Sequence, residues 1–213
     1  MHGLLAEPDG DRFIPMDGDL WGRINGIVSR YGEFKERRGA DNVEEDRSYK
    51  QIIPYACVVD GDMVLMYRRG GESSEERLMG NLSVGIGGHI DRGEGIMDAL
   101  YREFVEEAML VDSGTGAEVP FAVGSDPDLL KFVRMMDPQP IGLIDSNSSD
   151  VNRVHLGVAM MMTVPAGCSV AMRSAEDVGF EYVGVDDYLA RKGRGEISLE
   201  SWSEMVMGRI AQR

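Results

Sequence analysis

The segment from Gly88 to Leu110 constrains the fold of this chain more than any other part of its sequence. Apolar residues recur there at helical spacing, which predicts an amphipathic helix from about Ile96 with one apolar face. The opposite face carries Glu103, Glu106 and Glu107 within a single turn. Each like-charge pair three or four positions apart costs an isolated helix roughly 0.2–0.5 kcal/mol. The arrangement therefore indicates a cation on these carboxylates, and Mg²⁺ prefers oxygen ligands of this kind.

The spacing of the segment also follows a family pattern. From Gly88 the chain reads G-x5-E-x7-R-E-x-x-E-E, which resembles the Nudix box of the Nudix hydrolases, enzymes that cleave nucleoside diphosphates linked to another group. The fixed positions are Gly88, Glu94, Arg102, Glu103, Glu106 and Glu107. The resemblance covers the chain from about Tyr49 to the C-terminus, although only the box is specific. It implies an α/β/α sandwich with a mixed central sheet, a small-molecule diphosphate substrate, and Mg²⁺ or Mn²⁺ as cofactor.

Two positions depart from the box pattern. Phe104 stands where the family has an aliphatic residue, and Met109 stands where it has glycine. Glycine at a helix end often adopts a left-handed conformation that is unfavourable for methionine. We therefore expect the helix to continue past Met109 and to end near Ser113–Gly114.

Charge and cysteine content restrict the classes of partner. The formal net charge is −15, whereas nucleic-acid binding draws on clustered Lys and Arg, so no nucleic-acid partner is expected. Cys57 and Cys168 lie in apolar, strand-like segments, which favours buried free thiols over a disulfide. No signal peptide is recognisable and no apolar run is long enough to span a bilayer. We expect a cytoplasmic protein with no membrane partner.

The first 48 residues differ in character from the rest. Residues 1–48 are polar and charged, and the stretch from Asp19 to Tyr31 has apolar residues at helical spacing. We interpret residues 1–48 as an N-terminal extension with one helix that packs on the domain or on a partner subunit, and a homodimer is one prediction. Residues 49–213 are predicted to form the Nudix hydrolase domain.

The domain itself alternates between strands and helices. Gln51–Val59 and Met63–Arg68 flank the turn Asp60-Gly61-Asp62, which predicts a hairpin, and Leu82–Ile86 is a short strand. The later elements predicted are a helix opened by Asp126-Pro127 and ending before Pro138, strands at Ile141–Asp145, Val154–Val164 and Gly179–Val185, a helix capped by Asp186, and a helix over Ser198–Ile210. This order suits an α/β/α sandwich.

The resemblance assigns roles to the box acids. It implies that Glu103, Glu106 and Glu107 hold Mg²⁺ or Mn²⁺, and the alternative is a solvated acidic face. For Glu94 and Arg102 it implies an ion pair that orients the site, and the alternative is an exposed pair of less than about 1 kcal/mol.

Substrate-binding candidates lie around the box. Gly87 and Gly88 are predicted to bring backbone close to the substrate, since glycine allows such an approach. His89 is a candidate to hydrogen-bond a phosphate or metal-bound water, and the alternative is an ordinary polar residue. Arg68, Arg69 and Arg77 are the candidate phosphate-binding cations, with solvated loop arginines as the alternative.

The family does not fix the general base, which different members take from the box or from a later loop. The acids downstream are Glu176, Asp177 and Glu181, and Glu176 is our prediction for the base. The alternative for each is a surface charge.

Two other functions are compatible with the box. Isopentenyl diphosphate isomerase also carries it, but needs a catalytic cysteine and further metal ligands, and Cys57 lacks that setting. A catalytically silent Nudix-fold nucleotide-binding or sensor protein is the other, although such proteins typically have eroded box acids, which are intact here.

The segments Ile53-Pro54-Tyr55 through Tyr67-Arg68-Arg69 and Gly85–Ile90 also resemble an uncharacterised bacterial and archaeal branch of predicted phosphoesterases. That resemblance names no substrate.

Overall fold

The computed structural model describes residues 10–16, 18–40, 42–68, 82–124, 126–173 and 179–213. In chain order the elements are β1 (Arg12–Pro15), α1 (Leu20–Tyr31), β2 (Gln51–Asp60), β3 (Met63–Arg68), β4 (Leu82–Ser83), β5 (Gly85–Gly87), α2 (Ile96–Glu107), β6 (Ala108–Asp112), α3 (Asp126–Met136), β7 (Gln139–Asp145), α4 (Asp150–Arg153), β8 (His155–Thr163), β9 (Cys168–Met172), β10 (Phe180–Gly184), α5 (Val185–Gly193) and α6 (Ser201–Ile210).

Within these ranges the main sheet is mixed and has eight strands. Six follow the order β1-β7-β8-β2-β3-β10, while β4 pairs with β3 and β5 pairs with β2. The predicted hairpin is confirmed, because β2 and β3 are antiparallel around Gly61, whose φ of 62° suits glycine. β2 also pairs in parallel with β8, and β7 is antiparallel to β8, as expected for the two later strands. A second sheet consists of β6 and β9.

Helices cover both faces of the main sheet, as the α/β/α prediction requires. Side chains alternate along β2, so that Ala56 and Val58 belong to one core and Tyr55 and Cys57 to the other. The first core contains the buried residues of α1, α2 and α3, and the second contains those of α5 and α6. Cys57 is a buried free thiol and Cys168 is a half-buried one. No helix in the described ranges is long and apolar enough to cross a bilayer.

The N-terminal region contributes to this fold directly. The predicted helix is present as α1, and its residues Leu20 and Ile24 are buried in the same core as the box helix. The strand β1, which the sequence does not predict, pairs antiparallel with β7 at the edge of the main sheet. Residues 12–31 therefore belong to the sheet and core of the domain.

The end of the box helix differs from our expectation. α2 ends at Glu107, and Ala108 is already extended with φ −135° and ψ 171°, so the prediction that the helix continues past Met109 is wrong. Met109 instead pairs with Ala171 in the small sheet. Arg173 caps the helix, because its backbone N–H donates to the Glu107 carbonyl at 2.8 Å and its Nε donates to the Val105 carbonyl at 2.7 Å. No left-handed residue is needed where the chain passes directly into a strand.

Other boundaries agree with the predictions to within a few residues, except that the predicted strand Leu82–Ile86 is divided into β4 and β5, which pair with different strands. α3 ends at Met136, before Pro138, and α6 begins at Ser201. Asp186 was expected to cap α5, but Gly184 is the N-cap and Asp186 lies in the first turn. There its negative charge still faces the positive end of the helix dipole.

Candidate functional site

Arg102 is the centre of the candidate site. Its Nε and Nη2 donate to the two carboxylate oxygens of Glu94 at 2.8 and 3.1 Å, a bidentate pair that joins the loop before α2 to the helix itself. The Arg102 side chain is 14% exposed and that of Glu94 is 21% exposed. The hydrogen bonds from Arg102 lower the pKa of Glu94, and Glu94 in turn raises the pKa of Arg102. The pair is therefore bidentate and largely covered, and its role in orienting the site stays a prediction.

The same guanidinium also reaches the metal-binding candidates. Nη1 donates to Glu103 Oε1 at 2.7 Å and to Glu106 Oε2 at 3.3 Å, and Nη2 donates to the backbone carbonyl of His89 at 2.7 Å. Because one nitrogen contacts both carboxylates, Glu103 and Glu106 are close neighbours. Arg102 therefore holds together the loop carbonyl, Glu94 and two of the three box glutamates.

Glu103 lies against the glycine loop. A Cβ atom added to Gly88 would meet the Glu103 Oε1 at 2.2 Å, which is far inside van der Waals contact. Only glycine at this position lets the carboxylate approach the backbone so closely. The Glu103 side chain is 13% exposed, and this burial raises its pKa. Gly87 is equally constrained, since its added Cβ would lie 2.0 Å from the Pro54 carbonyl oxygen.

The three glutamates fit a hard cation by the chemistry of their donors. They offer only carboxylate oxygens, which Mg²⁺ and Mn²⁺ accept. Partial burial raises the pKa of Glu103, and a cation beside it would favour the charged carboxylate. In the described ranges, however, no three acidic, His or Cys side chains already converge as a metal site. Arg102 is bound to both Glu103 and Glu106. A cation would share these carboxylates with Arg102 or draw them away from it.

His89 lies beside a second histidine. The Nε2 atoms of His89 and His155 are 3.1 Å apart, and the rings meet edge to face with centroids 5.2 Å apart. His155 Nδ1 lies 2.7 Å from the Val151 carbonyl oxygen. Burial lowers the pKa of His89 to about 4, so both the contact and the environment favour a neutral ring.

Of the three candidate phosphate-binding arginines, only Arg68 lies within the described residues. Arg68 is the last residue of β3, and its backbone N–H donates to the Gly179 carbonyl at 3.4 Å. It helps to line a cleft of about 220 Å³ with Met66, Leu82, Gly179, Phe180 and Glu181. Arg69, Arg77, Glu176 and Asp177 lie outside the described residues. Glu181, the other acid considered for the base, lies on β10 and is paired with Arg191 at 3.0 Å.

Sequence reasoning missed two contacts at this site. The first is the approach of the Glu103 carboxylate to Gly88, two residues at separate positions of the box motif. The glycine at position 88 is the one sequence signal that could have predicted this contact. The contact of His89 with His155 spans 66 positions, and neither helical nor strand periodicity carries a signal for it.

Comparisons with known proteins agree with this architecture. No protein-family model matches the sequence. Protein YmaB of Bacillus subtilis (strain 168) is 28% identical over 179 residues, which cover 82% of this chain and 77% of YmaB. The crystal structure of Tm1382, described as a candidate Nudix hydrolase, matches with a TM-score of 0.66 and 23% identity over 99% of this chain and 93% of Tm1382.

A more distant match is a bifunctional NMN adenylyltransferase/ADP ribose pyrophosphatase from Francisella tularensis, in complex with AMP and a Mn ion. It has a TM-score of 0.50 and 12% identity, covering 91% of this chain and 46% of that protein. The chain therefore has the Nudix fold, with the box on the β5–α2 loop and on α2, as the resemblance to the Nudix superfamily predicts.

Proposed function

We propose that this chain is a metal-dependent hydrolase that cleaves a diphosphate linkage in a nucleoside diphosphate derivative or a related organic pyrophosphate. The observation that carries the proposal is the contact set of Arg102, which gathers Glu94, Glu103 and Glu106 at the loop preceding α2. Like charges are placed together there at a cost to the isolated helix. A site that binds a divalent cation and an anionic substrate accounts for that cost.

We assign the cation to Glu103, Glu106 and Glu107, with Mg²⁺ or Mn²⁺ as the cofactor. When bound, the cation supplies charge neutralisation for the diphosphate. The similar protein from Francisella tularensis was crystallised with a Mn ion and AMP, which supports this class of cofactor and a nucleotide-type substrate. Glu94 and Arg102 hold the carboxylates in place and do not themselves act on phosphorus.

The substrate is placed by backbone and cationic groups. Gly87 and Gly88 are proposed to bring backbone close to the diphosphate, and the missing side chain at Gly88 leaves the Glu103 carboxylate against this backbone. Arg68, with Arg69 and Arg77, is proposed to pair with phosphate oxygens. His89 contributes as a hydrogen-bond acceptor from water through its ring rather than as a donor to phosphate, since its Nε2 faces His155.

Hydrolysis then follows by attack of water on one phosphorus. A carboxylate takes the proton of the water, the bond from phosphorus to the bridging oxygen breaks, and the other phosphate leaves with that oxygen. We propose Glu176 as this base. Its replacement by Gln should lower turnover without lowering metal affinity, because a base acts on the proton and not on the cation.

The test of the assignment is Glu106→Gln, which keeps the size of the side chain and removes its charge. We expect turnover to fall by about 10²-fold or more, the scale on which one electrostatic contact to the transition state acts. The Glu106 side chain is 54% exposed, so the melting temperature should hardly change. Glu196→Gln, a change at an exposed glutamate between α5 and α6, is the matched control.

The substrate panel consists of nucleotide sugars, dinucleoside polyphosphates, NADH, ADP-ribose, CoA and nucleoside triphosphates, each with Mg²⁺ or Mn²⁺. Metal-dependent cleavage at a diphosphate bond, abolished in Glu106→Gln and retained in Glu196→Gln, is the expected result. Unchanged turnover in Glu106→Gln would refute the ligand assignment. Binding of nucleotides with no turnover of any compound would instead indicate a catalytically silent binding or sensor protein.

A further inference from the structure

The His89–His155 contact has a defined arrangement of protons. Val151 offers only a carbonyl oxygen to His155 Nδ1 at 2.7 Å, so Nδ1 must carry the hydrogen. In a neutral His155 ring the Nε2 atom is then an acceptor. At 3.1 Å it can pair with His89 only if His89 Nε2 carries a hydrogen. The two rings therefore adopt different tautomers, and His89 Nδ1 is left with a lone pair.

This contact joins the box loop to the main sheet. His155 is 4% exposed and is the first residue of β8, which pairs with both β2 and β7. His89 follows Gly88, whose backbone lies against the Glu103 carboxylate, and the His89 carbonyl accepts from Arg102 at 2.7 Å. A movement of the His89 ring would thus displace two contacts of the candidate site.

We propose that His155 is a positioning residue, whose Nε2 holds the His89 ring and thereby fixes the Gly88–His89 backbone against Glu103 and Arg102. The hydrogen bond is a property of the fold, and the consequence for turnover rests on the proposed function. The assignment differs from a role of His89 on the phosphate, since the ring acts through the loop that it anchors.

The pair requires that His155 Nε2 carries no hydrogen, because two N–H groups would otherwise face each other. A proton added to His89 goes to its Nδ1 and leaves the Nε2–H donating to His155. The charges around His89 are those of Arg37 and Glu44 from the segment after α1, and of Arg102 from α2, while the Lys50 Nζ donates to the His155 carbonyl. Burial lowers the pKa of His89 most, Arg37, His155 and Arg102 lower it further, and Glu44 opposes them.

The sign of the pH effect follows from this shift. The fold lowers the pKa of His89 from 6.5 to about 4, so the folded state binds fewer protons than the unfolded chain between these values. The stability that this shift contributes is complete above about pH 6.5 and declines as the pH falls toward about 4, and its largest cause is burial of the His89 ring.

Two variants of His155 separate its two hydrogen bonds. His155→Asn can keep the N–H that donates to the Val151 carbonyl but loses the acceptor for His89. His155→Gln places an amide oxygen near the position of Nε2 and so retains an acceptor for His89. Both remain polar, and the full chain is used in each case, with His89→Leu as a further variant that removes the other half of the pair.

The first measurement is ¹⁵N NMR of the histidine rings. The chain has three histidines, so a His2→Gln variant completes the assignment. We expect His155 to be protonated at Nδ1 and His89 to remain neutral until about pH 4. In His155→Asn the His89 ring loses its acceptor, so its ring ¹⁵N signals, the Gly88 amide and the Arg102 Nε–H signals should shift. His155→Gln should leave these signals near their positions in the unchanged chain.

Turnover gives the second measurement. With a substrate from the panel, kcat should fall about tenfold in His155→Asn, the equivalent of one hydrogen bond, and return to within about threefold of the unchanged chain in His155→Gln. A His155 ring protonated at Nε2, or equal effects of Asn and Gln on the Gly88 amide, would overturn the proposal. Because the NMR signals do not depend on hydrolysis, a chain that cleaves nothing would refute the proposed function while this test still decides the role of His155.

Discussion

Arg102 shows at the scale of one residue why the box needs arginine. Its planar guanidinium donates from three nitrogens to Glu94, Glu103, Glu106 and the His89 carbonyl. A lysine ammonium carries the same charge, but its single nitrogen cannot donate to a carboxylate in a bidentate way and to a carbonyl at the same time. The partners of Arg102 would then remain partly buried without their donors.

We therefore predict that Arg102→Lys lowers the free energy of unfolding by roughly 1–3 kcal/mol, the cost of leaving buried charged groups without partners. Urea unfolding followed by circular dichroism measures this change. Arg194→Lys is the matched control, because Arg194 also binds a carboxylate with two nitrogens, Glu196, but both side chains are half exposed. It should change stability by less than about 0.5 kcal/mol, and equal effects of the two substitutions would contradict the role given to Arg102.

Gly88→Ala tests the contact between the loop and Glu103. The new methyl group would overlap the Glu103 carboxylate, which must then move away from the backbone and from its place beside Glu106. We expect affinity for Mn²⁺ to fall about 10- to 100-fold, the effect typical of displacing groups that orient metal ligands. Isothermal titration calorimetry with Mn²⁺ measures it.

The control for that substitution is Gly208→Ala. Gly208 lies in α6 with no atom within 4 Å of the added Cβ, so alanine should raise the free energy of unfolding by about 0.5–1 kcal/mol and leave Mn²⁺ affinity unchanged. An unaltered affinity in Gly88→Ala would mean that Glu103 does not need its place against the loop to bind metal.

At the scale of elements, the end of α2 marks a limit of local sequence patterns. The box predicts the start of the helix and its apolar face, because Leu100 and Phe104 recur at helical spacing and are both buried. The end of the helix depends on Arg173, which lies 66 positions beyond Glu107 in the sequence and donates to its carbonyl. Periodicity reports which residues share a face, but not which distant segment supplies a cap or a pairing strand.

Met109 gives the corresponding prediction. If a glycine were needed at this position of the box, Met109→Gly would stabilise the chain. Because Met109 lies in β6 and pairs with Ala171, we expect the reverse, a loss of about 1 kcal/mol from the added backbone freedom in a strand. Met109→Val is the control, since a β-branched residue suits a strand and should be close to neutral. Thermal unfolding of the three proteins distinguishes these outcomes.

For the molecule as a whole, local sequence patterns predict the sandwich but not how the residues before Tyr49 join it. The strands and helices after Gln51 follow from alternation and turn residues, so the layered fold can be predicted. β1 has only four residues, and it pairs with β7, which lies far from it in the sequence. Such a pairing leaves no local sequence pattern. Residues 1–48 are polar overall, so their composition does not reveal that Leu20 and Ile24 of α1 are buried in the first core, together with α2 and α3.

The last prediction concerns whether the N-terminal helix and the domain unfold together. Ile24 is 3% exposed and packs in the same core as α2, so Ile24→Ala should lower the free energy of unfolding by about 2–4 kcal/mol through the cavity it leaves. Since one core is shared, circular dichroism and tryptophan fluorescence should report a single urea transition that moves as a whole. Arg23→Ala, on the exposed side of the same helix, should move it little. A separate early transition, or an unchanged main transition in Ile24→Ala, would show that α1 unfolds independently of the domain. Because α1 and α2 share one core, we expect them to unfold together.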